Sequence, residues 1–504
     1  MSRTLMIQGT SSSVGKSILV TALCRILRQD GLRVAPFKAQ NMSLNSFVTE
    51  EGEEMGRAQV VQAEAAGLKP IVDMNPVLLK PETDRRCQVI VHGRVSRTIS
   101  ADNYYRHTPS LLKAVASSLR RLDSTYNTII IEGAGSPAEI NLRDREIANM
   151  RVARLTKAPV LLVGDIDRGG VFASLIGTMT LLEETERHYV KGFIINKFRG
   201  DPGLLRPGLE FLEKQTGKPV LGIIPYFKNI QIAQEDSVYL DDRRENQPSA
   251  DLDIAVIHLP HISNYDDFDP LEEDGCRVRY ITHPAELGKP HLIILPGTKS
   301  TISDLTYLRR SGLAEEISRQ AGENTPVIGI CGGYQMLGRS ILDSSGVESA
   351  EEEALGLRLL DVATDFVPEK LTSQVRTKIL ADRGLLAGMK GQELVGYEIH
   401  MGQTSGGKET SAFQVLETVR GAADSYDGTL NHQGTVLGTY LHGLFHNFGF
   451  RQSLLANLRR HWGLPMRKTG VPASTEQQYD RLAELVRRNL NMAAVYEIME
   501  KGIK

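Results

Sequence analysis

Cys331 lies in a stretch of sequence whose residue types suit a catalytic nucleophile. The segment Val327–Gln335 reads VIGICGGYQ, which predicts a short buried strand, a sharp turn at the cysteine and then a helix. Gly329 and Gly333 match the GxCxG form of a nucleophile elbow, in which small neighbours permit the strained turn. The N-terminus of the following helix would favour the thiolate. The pattern therefore predicts that Cys331 attacks a substrate carbonyl.

A cysteine nucleophile needs a base, and its intermediate needs donors for the oxyanion. His442 ends a strand-like run in GTYLHGLF, and His400 ends another in GYEIHMG, so both are candidate bases. Gly297 follows the apolar run of IILPGTKS. Its amide is a predicted oxyanion donor, and the amide of Gly332 is the natural second donor.

A second chemistry is predicted near the N-terminus, where residues 9–17 read GTSSSVGKS. A glycine-rich turn between a strand and a helix presents backbone amides and the helix N-terminus to phosphate. Lys16 would bind the β and γ phosphates of ATP, and the hydroxyl of Ser17 would bind Mg²⁺. Thr10 occupies the first glycine position of the phosphate-loop consensus, since Gly9 lies one residue earlier. The predicted ATP-binding residues of this loop are Gly9, Thr10, Ser13, Val14, Gly15, Lys16 and Ser17.

Polar residues near the ends of other predicted strands extend this site. Glu132 ends the run TIIIE, and carboxylate oxygens suit Mg²⁺. Glu132, Ser17 and Glu54 are the predicted Mg²⁺ ligands, and Asn196 in INKFRGD is a further predicted ATP ligand. The residues predicted to contact substrate or phosphate are Lys38, Asn41, Asp165 and Arg168.

Short apolar runs set out the elements that would position these residues. In the first half they cover residues 5–8, 128–131, 160–163, 192–195 and 220–224. Their spacing is typical of βαβ units, which predicts a parallel sheet with its chemistry at the carboxyl ends of the strands. A second series covers 254–258, 292–295, 327–330 and 436–440, after a predicted linker at 241–250 (DDRRENQPSA). The periodicity of residues 476–499 predicts an amphipathic helix, which we expect to pack on the second domain.

Composition limits the class of protein. The chain has 504 residues, too many for one core, and a formal net charge of −2. That charge gives no reason to expect nucleic acid or an anionic membrane as a partner. No apolar run approaches the roughly 18 residues that span a bilayer, and the N-terminal residues lack a secretory leader, so we expect a cytoplasmic protein. The four cysteines form no CxxC pair, which argues against a zinc site.

In their order along the chain, these segments resemble the cobyric acid synthases, glutamine-hydrolysing enzymes of cobalamin biosynthesis. The resemblance covers nearly the whole chain. In the first half it is carried by QGTSSSVGKS, VAPFKAQNMSLNS, EMGRAQVVQAEAAG, IEGAGSPAEINL, GDIDRGGVFAS and INKFRGD, and in the second half by LPGTKSTISDL, GICGGYQMLG, GYEIHMG and YLHGLF. It favours His442 over His400 as the base.

The resemblance implies an α/β fold class with two domains and a helical tail. Residues 1–240 would form an ATP-dependent amide synthetase domain, a parallel-sheet P-loop domain similar to dethiobiotin synthetase. Residues 251–449 would form a class I glutamine amidotransferase domain, and residues 450–504 a helical C-terminal extension.

The implied activity is ATP- and glutamine-dependent amidation of the b, d, e and g carboxylates of adenosylcobyrinic acid a,c-diamide. Each carboxylate would become an acyl phosphate, with Mg²⁺ at the ATP, and would then react with ammonia released at Cys331. One alternative is a cobyrinic acid a,c-diamide synthase, against which PFKAQNMSLNS and INKFRGD argue. The other is a non-catalytic P-loop switch ATPase, which would have no use for Cys331 and would usually carry a lysine at the position of Ser11.

The sequence departs from many class I glutaminases beside the predicted base. Those enzymes place a glutamate two residues after the catalytic histidine to orient it. Here that position is Leu444, and Gly443 replaces the usual proline. A Cys–His dyad is chemically sufficient because a thiolate is intrinsically more nucleophilic than a hydroxyl. The sequence leaves the group that orients His442 unassigned.

Overall fold

A computed structural model describes residues 2–82, 86–100, 104–143, 145–227, 230, 232, 250–349, 351–406, 410–467 and 474–503. The chain divides into two compact units. Unit 1 comprises residues 1–43, 55–235 and 473–504, and unit 2 comprises residues 44–54 and 236–472. The predicted linker at 241–250 lies outside the described residues apart from Ala250.

The first 235 residues contain a parallel sheet with flanking helices. Their strands are β1 (Arg3–Gly9), β2 (Val34–Phe37), β3 (Gln40–Met42), β4 (Ser46–Val48), β5 (Glu54–Gly56), β6 (Val77–Pro81), β7 (Arg86–Val91), β8 (Arg94–Ser100), β9 (Thr128–Glu132), β10 (Val160–Asp165), β11 (Val190–Phe198) and β12 (Val220–Pro225). Their helices are α1 (Lys16–Gln29), α2 (Arg57–Ala65), α3 (Thr108–Thr125), α4 (Met150–Thr156), α5 (Val171–Leu181), α6 (Glu184–Arg187) and α7 (Arg206–Thr216).

The main sheet of unit 1 has the order β12–β11–β10–β1–β9–β2, and every neighbouring pair is parallel. Parallel strands covered on both faces read as continuous apolar runs, and Leu5, Met6 and Ile7 of β1 are fully buried. The predicted parallel sheet of the first half is confirmed. A smaller sheet, β3–β6–β7–β8, lies in the same stretch of chain.

Unit 2 is built on a larger mixed sheet. Its strands are β13 (Asp253–Ile257), β14 (Arg277–Ile281), β15 (Leu292–Leu295), β16 (Val327–Ile330), β17 (Ser340–Leu342), β18 (Glu353–Leu355), β19 (Val362–Ile379), β20 (Glu393–Gly406), β21 (Thr410–Thr418), β22 (Gly421–Leu430) and β23 (Val436–Thr439). Its helices are α8 (Asp269–Glu273), α9 (Pro284–Leu287), α10 (Thr301–Ser311), α11 (Leu313–Gly322), α12 (Gly332–Leu337) and α13 (Phe448–His461).

The parallel part of this sheet, β14–β13–β15–β16–β23, contains the predicted strands of the second half and confirms them. The sheet continues through β22, β21 and β19, which are antiparallel and were not predicted. In β19, Val375, Thr377 and Ile379 are buried while the residues between them are more exposed. Such alternation is expected of a sheet with one covered face.

The C-terminal tail forms two helices, α14 (Thr475–Asn489) and α15 (Met492–Lys501). The amphipathic helix was predicted correctly, but the expectation that it packs on the second domain is wrong. Leu482 and Val486 of α14 share a buried cluster with Leu19 and Leu23 of α1, so the tail completes the core of unit 1. An amphipathic period defines an apolar face without defining the surface that this face covers.

Residues 44–54 belong to unit 2 by their contacts, although the sequence before and after them belongs to unit 1. The predicted domain ranges placed this segment in the first domain. Val48 packs against Tyr397 and Ile399 of β20. Thr372 of β19 donates a hydrogen bond of 2.7 Å from its hydroxyl to the Gly52 carbonyl. The segment is therefore an excursion of the first half of the chain into unit 2.

Candidate active sites

The phosphate loop lies between β1 and α1, as predicted. Its backbone needs residues without side chains, because a Cβ at Gly9 would lie 2.5 Å from Cγ2 of Val14. Gly15 has φ +96°, in the left-handed region, and a Cβ there would overlap the side-chain amide of Asn196. The loop lacks the consensus glycine at position 10, but it has glycine at positions 9 and 15, where a side chain would clash with its neighbours.

Residues from β10 and β11 hold this loop in shape. Asn196 donates a hydrogen bond of 2.8 Å to the Val14 carbonyl. Lys197 donates to the Ser13 carbonyl at 2.7 Å and lies 2.9 Å from Oδ2 of Asp165. Asn196, predicted as an ATP ligand, therefore contacts the loop itself, and Asp165 acts on the loop through Lys197. Sequence reasoning missed Lys197.

Lys16 begins α1 and is buried at the base of the loop. Its ammonium donates to the carbonyls of Ser11 at 2.9 Å and Gly135 at 3.2 Å. Gly135 follows the carboxyl end of β9, so the lysine lies between the phosphate loop and the strand that ends in Glu132. This is the position expected of a cation that binds the terminal phosphates of ATP.

Glu132 is fully buried at the end of β9. Its Oε1 accepts hydrogen bonds of 2.8 Å from the Ser17 hydroxyl and the Lys38 ammonium, and its Oε2 accepts one of 2.5 Å from Nε2 of Gln62. A hydroxyl beside a carboxylate is an oxygen pair suited to Mg²⁺, which takes its other ligands from phosphates and water. Among the described residues no group of three or more His, Cys, Asp or Glu side chains forms an all-protein metal cage. Ser17 and Glu132 therefore fit a metal that arrives with ATP.

The other residues predicted to bind Mg²⁺, substrate or phosphate lie in different surroundings. Asn41 is buried and donates to Oε1 of Gln59 at 2.8 Å, whereas Arg168 is exposed. Glu54 belongs to unit 2, where its carboxylate lies 2.5 Å from the Lys370 ammonium. The structure thus joins Glu132 to Ser17 and Lys38, and it pairs Glu54 with a lysine of unit 2, the unit to which Glu54 itself belongs.

Cys331 stands between β16 and α12 in a strained conformation, with φ 52° and ψ −111°. A side chain at Gly333 would overlap the Leu295 carbonyl, which explains why the turn requires glycine there. The thiol is 7% exposed, and its sulfur lies 3.6 Å from the Ile399 carbonyl, to which it donates. The predicted elbow geometry is confirmed at Cys331.

His442 follows β23 and is held by a carboxylate that the sequence analysis did not identify. Its Nδ1 lies 2.7 Å from Oδ2 of Asp267, and both side chains are almost completely buried. Burial by itself would lower the pKa of His442, but the charge of Asp267, their hydrogen bond and the nearby Cys331 together raise it to about 10. Nε2 has no hydrogen-bond partner among the described residues. The imidazole is therefore oriented at Nδ1 and open at Nε2, as a base for the thiol requires.

Gly443 explains the departure from the usual proline. Its backbone N–H donates a hydrogen bond of 2.7 Å to Oδ1 of Asp267, and proline has no N–H to donate. Leu444 is fully buried and packs in the core of unit 2. The orienting carboxylate comes instead from the short 3₁₀ turn Tyr265–Phe268, well before the histidine in sequence.

His400, the competing base, lies in a different environment. Its Nδ1 lies 2.8 Å from the Gly402 carbonyl, and its ring stacks on Tyr440 with centroids 3.7 Å apart. Burial lowers the pKa of His400 to about 4. The geometry supports His442 as the base, because its Nδ1 lies 2.7 Å from a buried carboxylate, whereas Nε2 of His400 lies 4.0 Å from its nearest carboxylate, that of Glu398.

The two predicted oxyanion donors flank the cysteine and histidine. A Cβ at Gly297 would lie 3.0 Å from Cε1 of His442, and one at Gly332 would lie 3.2 Å from the backbone nitrogen of Thr298. Gly332 is also the first residue of α12, where a helix has no internal acceptor for its N–H. Cys331, His442, Gly297 and Gly332 thus come together in unit 2.

The residues that sequence reasoning missed share one property. Asp267, Gln62 and Lys197 each act through a neighbour distant in sequence, and none ends a conspicuous motif. The one available signal for Asp267 is the acidic pair Asp266–Asp267, which comes soon after β13 on the carboxyl side of the sheet. That signal would have offered several carboxylates without choosing between them.

The fold and sites define a nucleotide-binding domain joined to a glutamine amidotransferase domain. Residues 5–238 match the model of the CobQ/CobB/MinD/ParA nucleotide binding domain, and residues 253–450 match that of the CobB/CobQ-like glutamine amidotransferase domain. Among the described residues no helix is long and apolar enough to cross a membrane.

Full-length relatives identify the family. The chain is 56% identical to a cobyric acid synthase of Dehalococcoides mccartyi strain BAV1, over 100% of both chains. It is 53% identical to the cobyric acid synthase of Sorangium cellulosum over 98% of both chains. The corresponding protein of Pelotomaculum thermopropionicum is 51% identical over 99% of this chain and 97% of its own. This chain belongs to the cobyric acid synthase family.

Proposed function

We propose that this chain converts adenosylcobyrinic acid a,c-diamide to adenosylcobyric acid, by ATP- and glutamine-dependent amidation of the b, d, e and g carboxylates. One observation carries the proposal: a single chain holds both a Cys–His–Asp arrangement and a phosphate loop with a carboxylate beside it. A free carboxylate is a poor electrophile, so an amide synthetase needs ATP to activate it and a source of ammonia to react with it.

In the glutaminase step, His442, whose raised pKa keeps it protonated at neutral pH, holds the proton of the Cys331 thiol, and the sulfur attacks the side-chain amide of glutamine as a thiolate. Asp267 fixes the imidazole and stabilises its charged form. The amides of Gly297 and Gly332 would bind the oxyanion, and His442 would return its proton to the departing ammonia. Water then hydrolyses the thioester, which releases glutamate and restores the thiol.

In the synthetase step, a substrate carboxylate attacks the γ phosphorus of ATP. Lys16 would neutralise charge on the β and γ phosphates, and the loop amides would bind their oxygens. Ser17 and Glu132 would hold Mg²⁺, which supplies further charge neutralisation when it is bound. The Lys38 ammonium contacts the same carboxylate as the Ser17 hydroxyl, and we assign it to the transferred phosphoryl group or to the substrate carboxylate.

A cavity within unit 1 supports a place for the nucleotide base. It has a volume of about 460 Å³ and is lined by residues that follow Asn196 on β11, by the end of β12 and by Asn489 of α14. Arg199 lies over the ring of Tyr226 at 3.5 Å from its centroid. A partly apolar cavity whose lining on β11 begins two residues after Asn196 suits adenine and ribose.

The substrate assignment is tested with purified full-length protein, ATP, Mg²⁺ and glutamine. We expect the a,c-diamide to gain four amides, with ADP and glutamate formed in equal amounts to the amides. Amidation of cobyrinic acid without amidation of its a,c-diamide would instead support the cobyrinic acid a,c-diamide synthase activity. ATP hydrolysis without any amide product would support a P-loop switch.

A further inference from the structure

Helix α2 carries two buried glutamines beside the predicted metal carboxylate. Gln59 and Gln62 are both fully buried. Because they are three residues apart in a helix, their side chains lie on the same face. Gln62 contacts Glu132 directly, as described above, so this face of α2 borders the place where the phosphoryl group of ATP would be transferred.

Each glutamine has one amide atom engaged and one without a partner. Nε2 of Gln62 donates to Glu132, and Oε1 of Gln59 accepts from Asn41. Among the described residues, Oε1 of Gln62 and Nε2 of Gln59 have no hydrogen-bond partner. The orientation of the Gln62 amide is fixed by its neighbour, since a carboxylate only accepts. Burying a polar atom without a hydrogen-bond partner costs roughly 1–3 kcal/mol. We therefore expect these two atoms to bind a ligand or to have another function.

The two unpartnered atoms, one donor and one acceptor, are complementary to the hydrogen-bonding groups of a primary amide. A donor at Gln59 Nε2 matches a carbonyl oxygen, and an acceptor at Gln62 Oε1 matches an N–H. An amide being formed from an acyl phosphate and ammonia presents the same two groups. A Cβ at Gly56, just before α2, would lie 2.8 Å from Oε1 of Gln59, so the glycine preserves the Asn41–Gln59 hydrogen bond that leaves Nε2 of Gln59 unpartnered.

We propose that Gln59 and Gln62 bind the two reactants of amide formation, the acyl carbonyl oxygen and ammonia. This inference rests on the proposed function. Ammonia, with an N–H held by Gln62 Oε1, uses its lone pair to form the C–N bond. The bond from the acyl carbon to the phosphate oxygen breaks, its electron pair leaves with phosphate, and the phosphate takes the proton that nitrogen loses. The products are the amide and inorganic phosphate.

The chemistry of glutamine suits this role better than that of glutamate. A carboxylate at position 62 would favour ammonium, whose lone pair is occupied by a proton. A neutral carbonyl accepts an N–H from ammonia without this strong preference for the charged form. It also avoids a second carboxylate against Glu132.

The test uses full-length protein with ammonium chloride in place of glutamine, so that the glutaminase is bypassed. ADP and amide are measured together on the a,c-diamide, at saturating ATP. For Gln62→Met we expect the KM for ammonia to rise about tenfold, the effect of one lost hydrogen bond. The ADP formed per amide should rise severalfold in Gln62→Met and in Gln59→Met, because the acyl phosphate is hydrolysed before it reacts.

Gln59→Met is the variant that separates reactant binding from metal positioning, because Gln59 does not contact Glu132. Its KM for ATP should stay within about twofold of wild type. Gln320→Met is the matched control, since Gln320 is a buried glutamine of unit 2 whose amide donates to the Gly288 carbonyl. We expect this control to keep one ADP per amide. Thermal unfolding and glutamine hydrolysis establish that each variant is folded.

Two results would overturn the inference. One is a ratio of one ADP per amide in both variants, with an unchanged KM for ammonia. The other is a change confined to the KM for ATP or the Mg²⁺ requirement, which would make Gln62 a positioning residue for Glu132 alone. A wild-type protein that releases ammonia from glutamine but amidates no carboxylate would refute the proposed function instead.

Discussion

At the scale of single residues, the most informative contact is the one between Asp267 and His442. Asp267→Asn removes the charge that raises the pKa of His442 and changes the hydrogen bond at Nδ1. We expect the kcat for glutamine hydrolysis to fall roughly 10²–10⁴-fold, the usual contribution of an oriented base. Ammonia-dependent amidation should be retained, since it does not use this site. Equal loss of both activities in a folded variant would contradict this assignment.

The same contact predicts a pH-dependent stability. The pKa of His442 is raised from 6.5 to about 10. The pairing of charged His442 with Asp267 therefore contributes fully to the free energy of unfolding below pH 6.5, and this contribution is lost as the pH rises through 10. The difference in unfolding free energy between wild type and Asp267→Asn should therefore be larger at neutral pH than near pH 10. Urea unfolding at both pH values measures it. A difference that is independent of pH would contradict the coupling.

At the scale of elements, α14 is expected to stabilise unit 1. Leu482→Ala removes a fully buried side chain from the cluster that α14 shares with α1. We expect a loss of about 2–5 kcal/mol in unfolding free energy. We also expect weaker ATP binding, because Asn489 of the same helix lines the cavity proposed for the nucleotide base. Arg488→Ala is the control, since its pairing with Glu484 is exposed and should contribute less than about 0.5 kcal/mol. Equal effects of the two changes would argue against a packing role for α14.

Glu54 lies at the end of the excursion at residues 44–54, and a substitution there distinguishes two roles for its carboxylate. As a metal ligand, Glu54 would affect the Mg²⁺ requirement of ATP use. As the buried partner of Lys370, it would hold the excursion on unit 2. We expect Glu54→Gln to lower the stability of unit 2 with little change in the Mg²⁺ concentration needed for half-maximal activity. Glu132→Gln is the comparison, and it should raise that concentration strongly.

At the scale of the whole molecule, the two chemistries should be separable by single substitutions. Cys331→Ala is expected to abolish glutamine use and to leave amidation from free ammonia intact. Lys16→Ala should abolish amidation from either nitrogen source, because it removes the cation for the terminal phosphates. Loss of both activities in a folded Cys331→Ala protein would count against separate sites.

Much of this organisation could be predicted because it is local. The elbow at Cys331 and the loop at Lys16 each need a strand, a small-residue turn and a helix in immediate succession, and the sequence contains all three. The strand that ends in Glu132 was equally visible. Of the strands between Ser340 and Leu430, only the run that ends at His400 was predicted, because one-sided alternation is a weaker signal than the continuous apolar runs of buried parallel strands.

The sequence by itself determined the two chemistries, the parallel strands that position them and the residues that stand at strand ends. Only the tertiary structure decided which distant side chains complete each site. Asp267 reaches His442 from another segment, Gln62 reaches Glu132 from α2, and the C-terminal helices cover unit 1 rather than the domain that precedes them in sequence. The physical reason is that a motif encodes contacts a few residues apart, whereas a carboxylate or an apolar face accepts any partner that folding brings to it.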